Sequence, residues 1–341
     1  MFRLLGVLLS VLFAIATAIV VWPQFFGVEQ IFPVAQLVAV RGALLLGYIA
    51  LAALSLLFLL ARPLRGFAAS ILIISLLGAI AHGGVLALRG IGPGELPEKA
   101  EGSIRVMTWN TNGEAVSASD IAAAIVEHDV DVVSLPETSH SVGREIALML
   151  RESGHRMWVH HVDFYPEVRN GPQAWQTTIL ISPELGDYSV IDSSRDRTSN
   201  TGQVPSAVVM PVSGEGPTIV AVHAVAPRPG AMEQWRADLR WIADQCPAGE
   251  DVILAGDFNA TIDHTASLGT DAGDVGNCVD AAVRTGAGHA GTWPAEAPAL
   301  LGTPIDRVLA SPNWIAEGSL VFGEDSGSDH RALVVQLAPA G

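Results

Sequence analysis

Three stretches near the start of the chain carry almost no charge: residues 4–21 (LLGVLLSVLFAIATAIVV), 42–61 (GALLLGYIALAALSLLFLLA) and 67–88 (FAASILIISLLGAIAHGGVLAL). Each is about as long as the roughly 20 helical residues that cross a bilayer core. Each is apolar around its whole circumference, whereas a helix lying on a soluble core keeps a polar face. Residues 1–90 are therefore expected to form a membrane domain with three transmembrane helices. Ala16-Thr17-Ala18 has the small-residue form of a signal-peptidase site. Arg3 alone supplies charge ahead of it and apolar residues continue beyond it, so the first segment reads as a span. The link between the second and third segments holds Arg62 and Arg65, which assigns it to the cytoplasm by the positive-inside rule. Arg3 agrees with that orientation, while Arg41 and Arg89 oppose it. Three crossings then carry everything after about residue 90 to the outside, so the expected location is the cell membrane, multi-pass, with the remainder extracytoplasmic.

Residues 91–102 (IGPGELPEKAEG), rich in Gly, Pro and charge, read as a linker to a domain over 103–341. Residues 101–341 hold 13 basic and 32 acidic groups, a formal charge of −19. Such a surface repels polyanions, although salt screens the effect beyond about 8–10 Å. It also lacks the basic footprint that a nucleic-acid backbone requires, which argues against nucleic acid as a partner. Cys246 and Cys278 are the only cysteines, too far apart in sequence for a metal knuckle. An oxidising exterior permits a disulfide between them, and the sequence leaves that pairing open.

Beyond the linker, strand-like runs alternate with helical ones. Ser117 with Asp120 three positions later forms a loose capping box ahead of an apolar helical run. Residues 143–153 suit a further helix, as do 230–245, where Met232, Trp235, Leu239 and Ile242 recur at helical spacing. Residues 176–182 and 204–211 suit strands, and 261–303 read mostly as irregular loop. With no internal repeat, this pattern fits one layered α/β domain of two packed sheets with helices outside.

Six polar islands sit at the ends of apolar strand-like runs (IRVMTWN, DVVSLPE, TIVAVH, DVILAGDFN, PIDRVLA, SDHRALVVQL). A sheet edge would gather Asn110, Glu137, His223, Asp257, Asn259, Asp306, Asp329 and His330. In GDFN, Asp257 and Asn259 lie two apart and project to one side of an extended chain; an ordinary Asx turn is the plain alternative. Glu137 and Asn110 end buried-looking strands, where an acid needs a partner or a metal. Carboxylates combined with substrate oxygens suit Mg²⁺ or Mn²⁺. Zinc would require His and Cys clustered at tetrahedral-site spacing. His223 and His330 differ from the other eight histidines in lying at strand ends. Asp306 is placed to orient His330, and Asp329 to face the cation.

Taken together these residues resemble the endonuclease/exonuclease/phosphatase superfamily, the DNase I-like fold shared by DNase I, abasic endonucleases, neutral sphingomyelinases and inositol polyphosphate 5-phosphatases. TWN, LPE, VH, GDFN, IDRVLAS and SDH occur in the family's order over about residues 103–338, and GDFN with a terminal SDH is specific. The resemblance implies a four-layer α/β sandwich whose two sheets deliver residues to one cleft. It implies that Glu137 is the main metal ligand, with Asn110 beside it and Asp329 as a second metal-side carboxylate. Asp257 and Asn259 are similar to the pair that positions the nucleophile and the scissile phosphate. His330 with Asp306 resembles a general-base or phosphate-stabilising dyad. His223 is similar to the histidine of the nuclease and sphingomyelinase branches, contacting substrate together with Asn259, although no partner carboxylate for it is evident. Asn112 departs from the Asp of abasic endonucleases at that position. Three spans ahead of such a domain resemble a membrane-anchored bacterial branch that includes the teicoplanin-resistance protein VanJ.

The function these readings imply is metal-dependent hydrolysis, with Mg²⁺ or Mn²⁺, of a phosphate ester or pyrophosphate. The expected substrate is a phospholipid or lipid-linked phosphate of the cell envelope. An extracytoplasmic nuclease on the same core is the alternative; Arg195, Arg197 and Arg228 are the loop arginines available to a groove for it. A catalytically silent envelope-binding protein is disfavoured because all eight positions are filled.

Overall fold

A computed structural model describes residues 2–163, 171–191, 201–324 and 326–341. Arg195 and Arg197, nominated above for a basic groove, lie outside the described residues, while Arg228 is exposed. The chain divides into two compact units, Met1–Arg89 and Gly90–Gly341.

In the first unit the apolar runs form helices Phe2–Val21, Arg41–Phe58 and Arg65–Arg89. Three segments, Arg3–Val21, Arg41–Phe58 and Arg62–Arg89, are long and apolar enough to cross a membrane. Two pairs of polar side chains meet between these helices. The Tyr48 hydroxyl donates to Thr17 Oγ1 at 3.0 Å, and Arg41 Nη1 lies 3.1 Å from His82 Nδ1. Gly78 makes room for the Tyr48 ring, because a Cβ there would fall 2.7 Å from a ring carbon. The apolar stretch 23–40 folds into two short helices, Pro23–Phe26 and Val34–Ala39.

The second unit contains the strands, in chain order β1 (Gly94–Glu95), β2 (Ile104–Thr108), β3 (Val132–Pro136), β4 (Trp158–Asp163), β5 (Gln176–Ile181), β6 (Tyr188–Val190), β7 (Ala207–Pro211), β8 (Thr218–His223), β9 (Val252–Asp257), β10 (Val279–Asp280), β11 (Asp306–Ala310), β12 (Trp314–Phe322) and β13 (Ala332–Pro339). They form one sheet in the order β1-β12-β13-β2-β3-β5-β4 and another in the order β10-β11-β9-β8-β7-β6. Successive residues of a strand point to opposite faces, and here both faces are covered. Ile104 and Val106 of β2, Ile179 and Ile181 of β5, and Leu333 and Val335 of β13 enter the core between the sheets, with Ile219, Ile253 and Val308 of the second sheet. Met107, Leu180 and Val334 point the other way, onto helices Ala118–Glu127 and His140–Glu152 through Ile121, Ile125, Ile146 and Leu150. Two-sided burial explains why these strands read as unbroken apolar runs. Helix Met232–Asp244 buries Trp235, Leu239 and Ile242. The result is the expected four-layer α/β sandwich, preceded by the three apolar helices.

Ser117 caps its helix, accepting a bond from the Asp120 N–H at 3.1 Å. Residues 91–102 do not run free. Gly94–Glu95 pairs with Leu320 and Ser319 of β12, and Lys99 forms ion pairs with Asp129 and Asp131 at 3.0 and 2.8 Å. The loop 261–303 contains short helices at Ile262–Thr265 and Ala281–Arg284. Cys246 and Cys278 form a disulfide across a sequence separation of 32.

Candidate active site

Strand register brings the islands together. Asp257 ends β9 directly opposite Asp306, the first residue of β11, and alongside His223, the last residue of β8. Side chains at matched register positions share one face of a sheet, so the second sheet alone presents His223, Asp257 and Asp306 at one edge. The approach of β8 to β9 requires Gly256, since a Cβ there would lie 1.9 Å from the Val222 carbonyl oxygen. The first sheet supplies the rest. Asn110 and Glu137 follow the parallel strands β2 and β3, and His330 precedes β13, which runs antiparallel to β2.

Contacts across the two sheets join these groups. The Asn110 amide nitrogen donates to Asp257 Oδ2 at 3.1 Å and to Glu137 Oε1 at 3.4 Å. Its Oδ1 accepts the Asn112 N–H at 3.0 Å, so Asn110 presents nitrogen, not oxygen, to the carboxylates. His330 Nδ1 lies 2.8 Å from Asp306 Oδ2, the pairing expected from sequence. Asp257, Asp306 and His330 can bring ligand atoms within 4.8 Å of one another. Asn259 holds Asp257 in place: its N–H donates to Oδ1 at 2.8 Å, and its amide nitrogen donates to Oδ2 at 3.2 Å and to the Ala224 carbonyl at 2.8 Å. With both amide protons engaged, Asn259 acts on the carboxylate and has none left for a phosphoryl oxygen.

Glu137 adopts φ +60° and Asn259 φ +45°, left-handed conformations that cost such residues about 1–3 kcal/mol. The Glu137 backbone is fixed by its N–H to the Gln176 carbonyl at 2.9 Å and by Thr111 Oγ1 to its own carbonyl at 3.1 Å. His223 is buried with Nε2 3.8 Å from Glu137 Oε1, and its Nδ1 has no hydrogen-bond partner among the described residues. Asp329 is more open. Its Oδ1 lies 3.9 Å from His330 Nε2, and its Oδ2 accepts the Trp293 indole N–H at 3.0 Å. Arg307 does not pair with Asp306. It binds Asp280 at 2.7 Å, which leaves Asp306 to His330.

Burial and charge push these groups in different directions. Burial, reinforced by the Asp306 charge, raises the proton affinity of Asp257. Burial also raises Glu137; the Asn110 bond and the His330 charge oppose it, and repulsion from Asp329 adds to it. For His330 burial is the largest single influence and pulls downward; the charge and hydrogen bond of Asp306, with Asp257 and Asp329, outweigh it and lift the group to about 10. His223 is driven down to about 3, by burial first and by repulsion from His330 second.

Four residues absent from the expected set tie the site together. Ser328 Oγ donates to the Asn110 carbonyl at 2.8 Å and accepts the His330 N–H at 3.0 Å. The Trp109 indole N–H donates to the His330 carbonyl at 3.0 Å. Thr111 braces Glu137, and Thr292 Oγ1 accepts the Asp306 N–H at 3.0 Å. Ser328 is the first residue of SDH and Trp109 the middle residue of TWN, and membership of those motifs is the one signal that pointed to them.

A model of the Endonuclease/Exonuclease/phosphatase family matches residues 107–330, more than half of the chain. The structure of an endonuclease/exonuclease/phosphatase from Beutenbergia cavernae is 22% identical at a TM-score of 0.51, covering 70% of this chain and 72% of that one. TDP2 of D. rerio, humanized by 14 mutations, is 17% identical at a TM-score of 0.52, covering 70% and 99%. TDP2 from C. elegans is 14% identical at a TM-score of 0.51, covering 87% and 93%. At these identities the likeness is one of fold. No curated protein matches the chain.

Proposed function

The chain belongs to the endonuclease/exonuclease/phosphatase family, whose members are metal-dependent hydrolases of phosphoric ester bonds, and from that premise we propose a membrane-anchored phosphoesterase. It uses Mg²⁺ or Mn²⁺ and cleaves a phosphate ester or pyrophosphate of an envelope lipid on the extracytoplasmic face of the cell membrane. The observation that carries the hydrolytic part is the meeting of Glu137 and Asn110 from one sheet with Asp257 from the other. The lipid part is supported by three helices apolar enough to span a membrane; the −19 formal charge of residues 101–341 repels anionic lipid headgroups too, and counts only against nucleic acid, which needs a basic footprint. The order of parts, three spans ahead of the domain, resembles that of a membrane-anchored bacterial branch of the family.

The residues fit a divalent cation. Glu137 is half-buried, and its nearest imidazole, His223, is held neutral. Asp329 stands near enough to raise its proton affinity. These two acids supply oxygens of the kind that Mg²⁺ takes up along with substrate oxygens and water, while Asn110 contributes hydrogen bonds to Glu137 and Asp257 through its amide nitrogen. Bound there, the metal supplies Lewis acidity and offsets charge on the phosphoryl oxygens.

The remaining chemistry belongs to side chains of this protein. Asp257, gripped at both oxygens and raised in proton affinity, orients the attacking water and takes its proton. His330 is held protonated by Asp306, so it donates to a phosphoryl oxygen and is not a base at neutral pH. Asn259 positions Asp257. Neutral His223 contributes a hydrogen bond on the Glu137 side of the phosphate, without bringing a charge.

The test uses full-length protein in detergent with Mg²⁺, offered polyprenyl pyrophosphate, phospholipid, supercoiled plasmid and RNA. Turnover of a lipid phosphate with intact nucleic acids is the expected result. Nicked plasmid with untouched lipids would establish the nuclease alternative, and no turnover of any substrate would favour a silent binding protein.

A further inference from the structure

The loop 291–303 is bound to the catalytic edge at three places. Thr292 Oγ1 accepts the N–H groups of Ile305 and Asp306 at 3.1 and 3.0 Å. The Ala295 N–H donates to the Asp329 carbonyl at 2.7 Å, and the Trp293 indole N–H donates to the Asp329 carboxylate at 3.0 Å. Buried Arg331, next to His330, donates to the carbonyls of Gly291, Pro294, Ala295 and Ala297. A main-chain bridge between Trp293 and Thr303 closes the loop.

Despite this rigidity, Trp293 leaves 40% of its surface in solvent and Leu300 leaves 36%. A buried indole usually pairs its N–H while its ring is covered. Here the N–H is fixed to a carboxylate of the site while much of the residue remains in solvent. Holding a large aromatic face out of apolar contact is unfavourable in proportion to its area, unless a ligand covers it.

Resting on the phosphoesterase reading above, we propose that Trp293 is a specificity-determining residue. Its ring packs against the apolar alcohol carried by the scissile phosphate, so that phosphate esters of long-chain alcohols are preferred over those of hydrophilic ones. Thr292 and Arg331 are positioning residues that hold the ring at the phosphate. Trp293 is not a catalytic residue; it selects what the phosphate carries.

Two reporter diesters separate this from a purely structural role: p-nitrophenyl dodecyl phosphate and p-nitrophenyl glyceryl phosphate. They release the same leaving group and differ only in the retained alcohol. With full-length wild-type protein and Mg²⁺, kcat/KM should favour the dodecyl ester by about ten-fold or more. Trp293→Ala should bring that ratio near one, mainly through KM for the dodecyl ester. Trp293→Phe also loses the bond to Asp329 and should slow both esters together while keeping the ratio within about three-fold of wild type. Equal slowing of both esters by Trp293→Ala, with the ratio unchanged, would show that the residue acts only through Asp329 and would overturn the proposal. Equal kcat/KM for the two esters in wild type would overturn it as well. Hydrolysis of neither ester by wild type would instead remove the phosphoesterase reading on which it rests.

Discussion

At one corner of the site His330 sits 2.8 Å from Asp306; at the other His223 comes no closer than 3.8 Å to Glu137. Both imidazoles are buried, and burial pushes each toward the neutral form. Among the described residues only His330 of the two has a carboxylate in hydrogen-bond contact, and Asp306, with the charges of Asp257 and Asp329, reverses the outcome, to about 10 against about 3 for His223. Half-buried His161 on β4 shows the default: with no ion pair to a carboxylate among the described residues, burial and then the charge of His140 take it down to about 4. Location at the sheet edge therefore does not decide protonation, whereas the carboxylates facing the ring do, Asp306 at 2.8 Å first among them. The difference divides the labour. In the Asp306–His330–Asp257 corner the imidazole is held charged by carboxylates, while in the Glu137–His223 corner the imidazole is held neutral beside an acid.

If that division is right, removing the cation should have the largest effect. Chelation with EDTA should abolish turnover, and added Mg²⁺ or Mn²⁺ should restore it; unchanged activity after exhaustive chelation would reverse the assignment of the Glu137 corner. Next in size are Asp257→Asn and His330→Gln, each expected to lower kcat by about 10³-fold or more, roughly 4 kcal/mol of barrier. Circular dichroism and melting of these variants should match wild type, since a loss caused by unfolding would say nothing about the corner. His223→Gln keeps a hydrogen-bonding group at a position that carries no charge, and should cost about 10- to 100-fold. A loss as large as that of His330→Gln would erase the contrast between the corners.

The smallest effect concerns the default case. His161 has a folded pKa depressed below its ordinary 6.5, so it stays neutral in the fold while the unfolded chain gains a proton. Its contribution to stability is present above about pH 6.5 and is lost as the pH falls toward 4. Urea titrations over that window should show unfolding free energy rising with pH, and His161→Gln should flatten the slope. A slope indifferent to the substitution would mean that burial alone does not set the default.

Much of this was legible in the sequence because a strand end is a local feature. Asn110, Glu137, His223 and Asp257 each close an apolar run, so their shared edge follows once the strands pair. The three apolar helices were equally plain, since nothing in 4–21, 42–61 or 67–88 marks a polar face. What the sequence hid are interactions whose two ends lie far apart along the chain. Trp109 and Ser328 act through backbone bonds to residues more than 200 positions away. Trp293 looked like one residue of an irregular loop until its bond to Asp329 placed it. Strand β4 is partly exposed on both faces and β12 over much of its length, so they lack the unbroken apolar runs that marked the others. The Cys246–Cys278 bond depends on an approach of Cα atoms that no spacing rule supplies.

The central claim is that Glu137, delivered by one sheet, and Asp257, delivered by the other, serve a single reaction. Glu137→Gln, Asp257→Asn and the double variant, assayed with Mg²⁺ on one phosphodiester, test it most directly. The account predicts that each single variant loses nearly all turnover and that the double is no slower than the worse of the two. Wild-type rates in either single variant, or losses that multiply in the double, would contradict it.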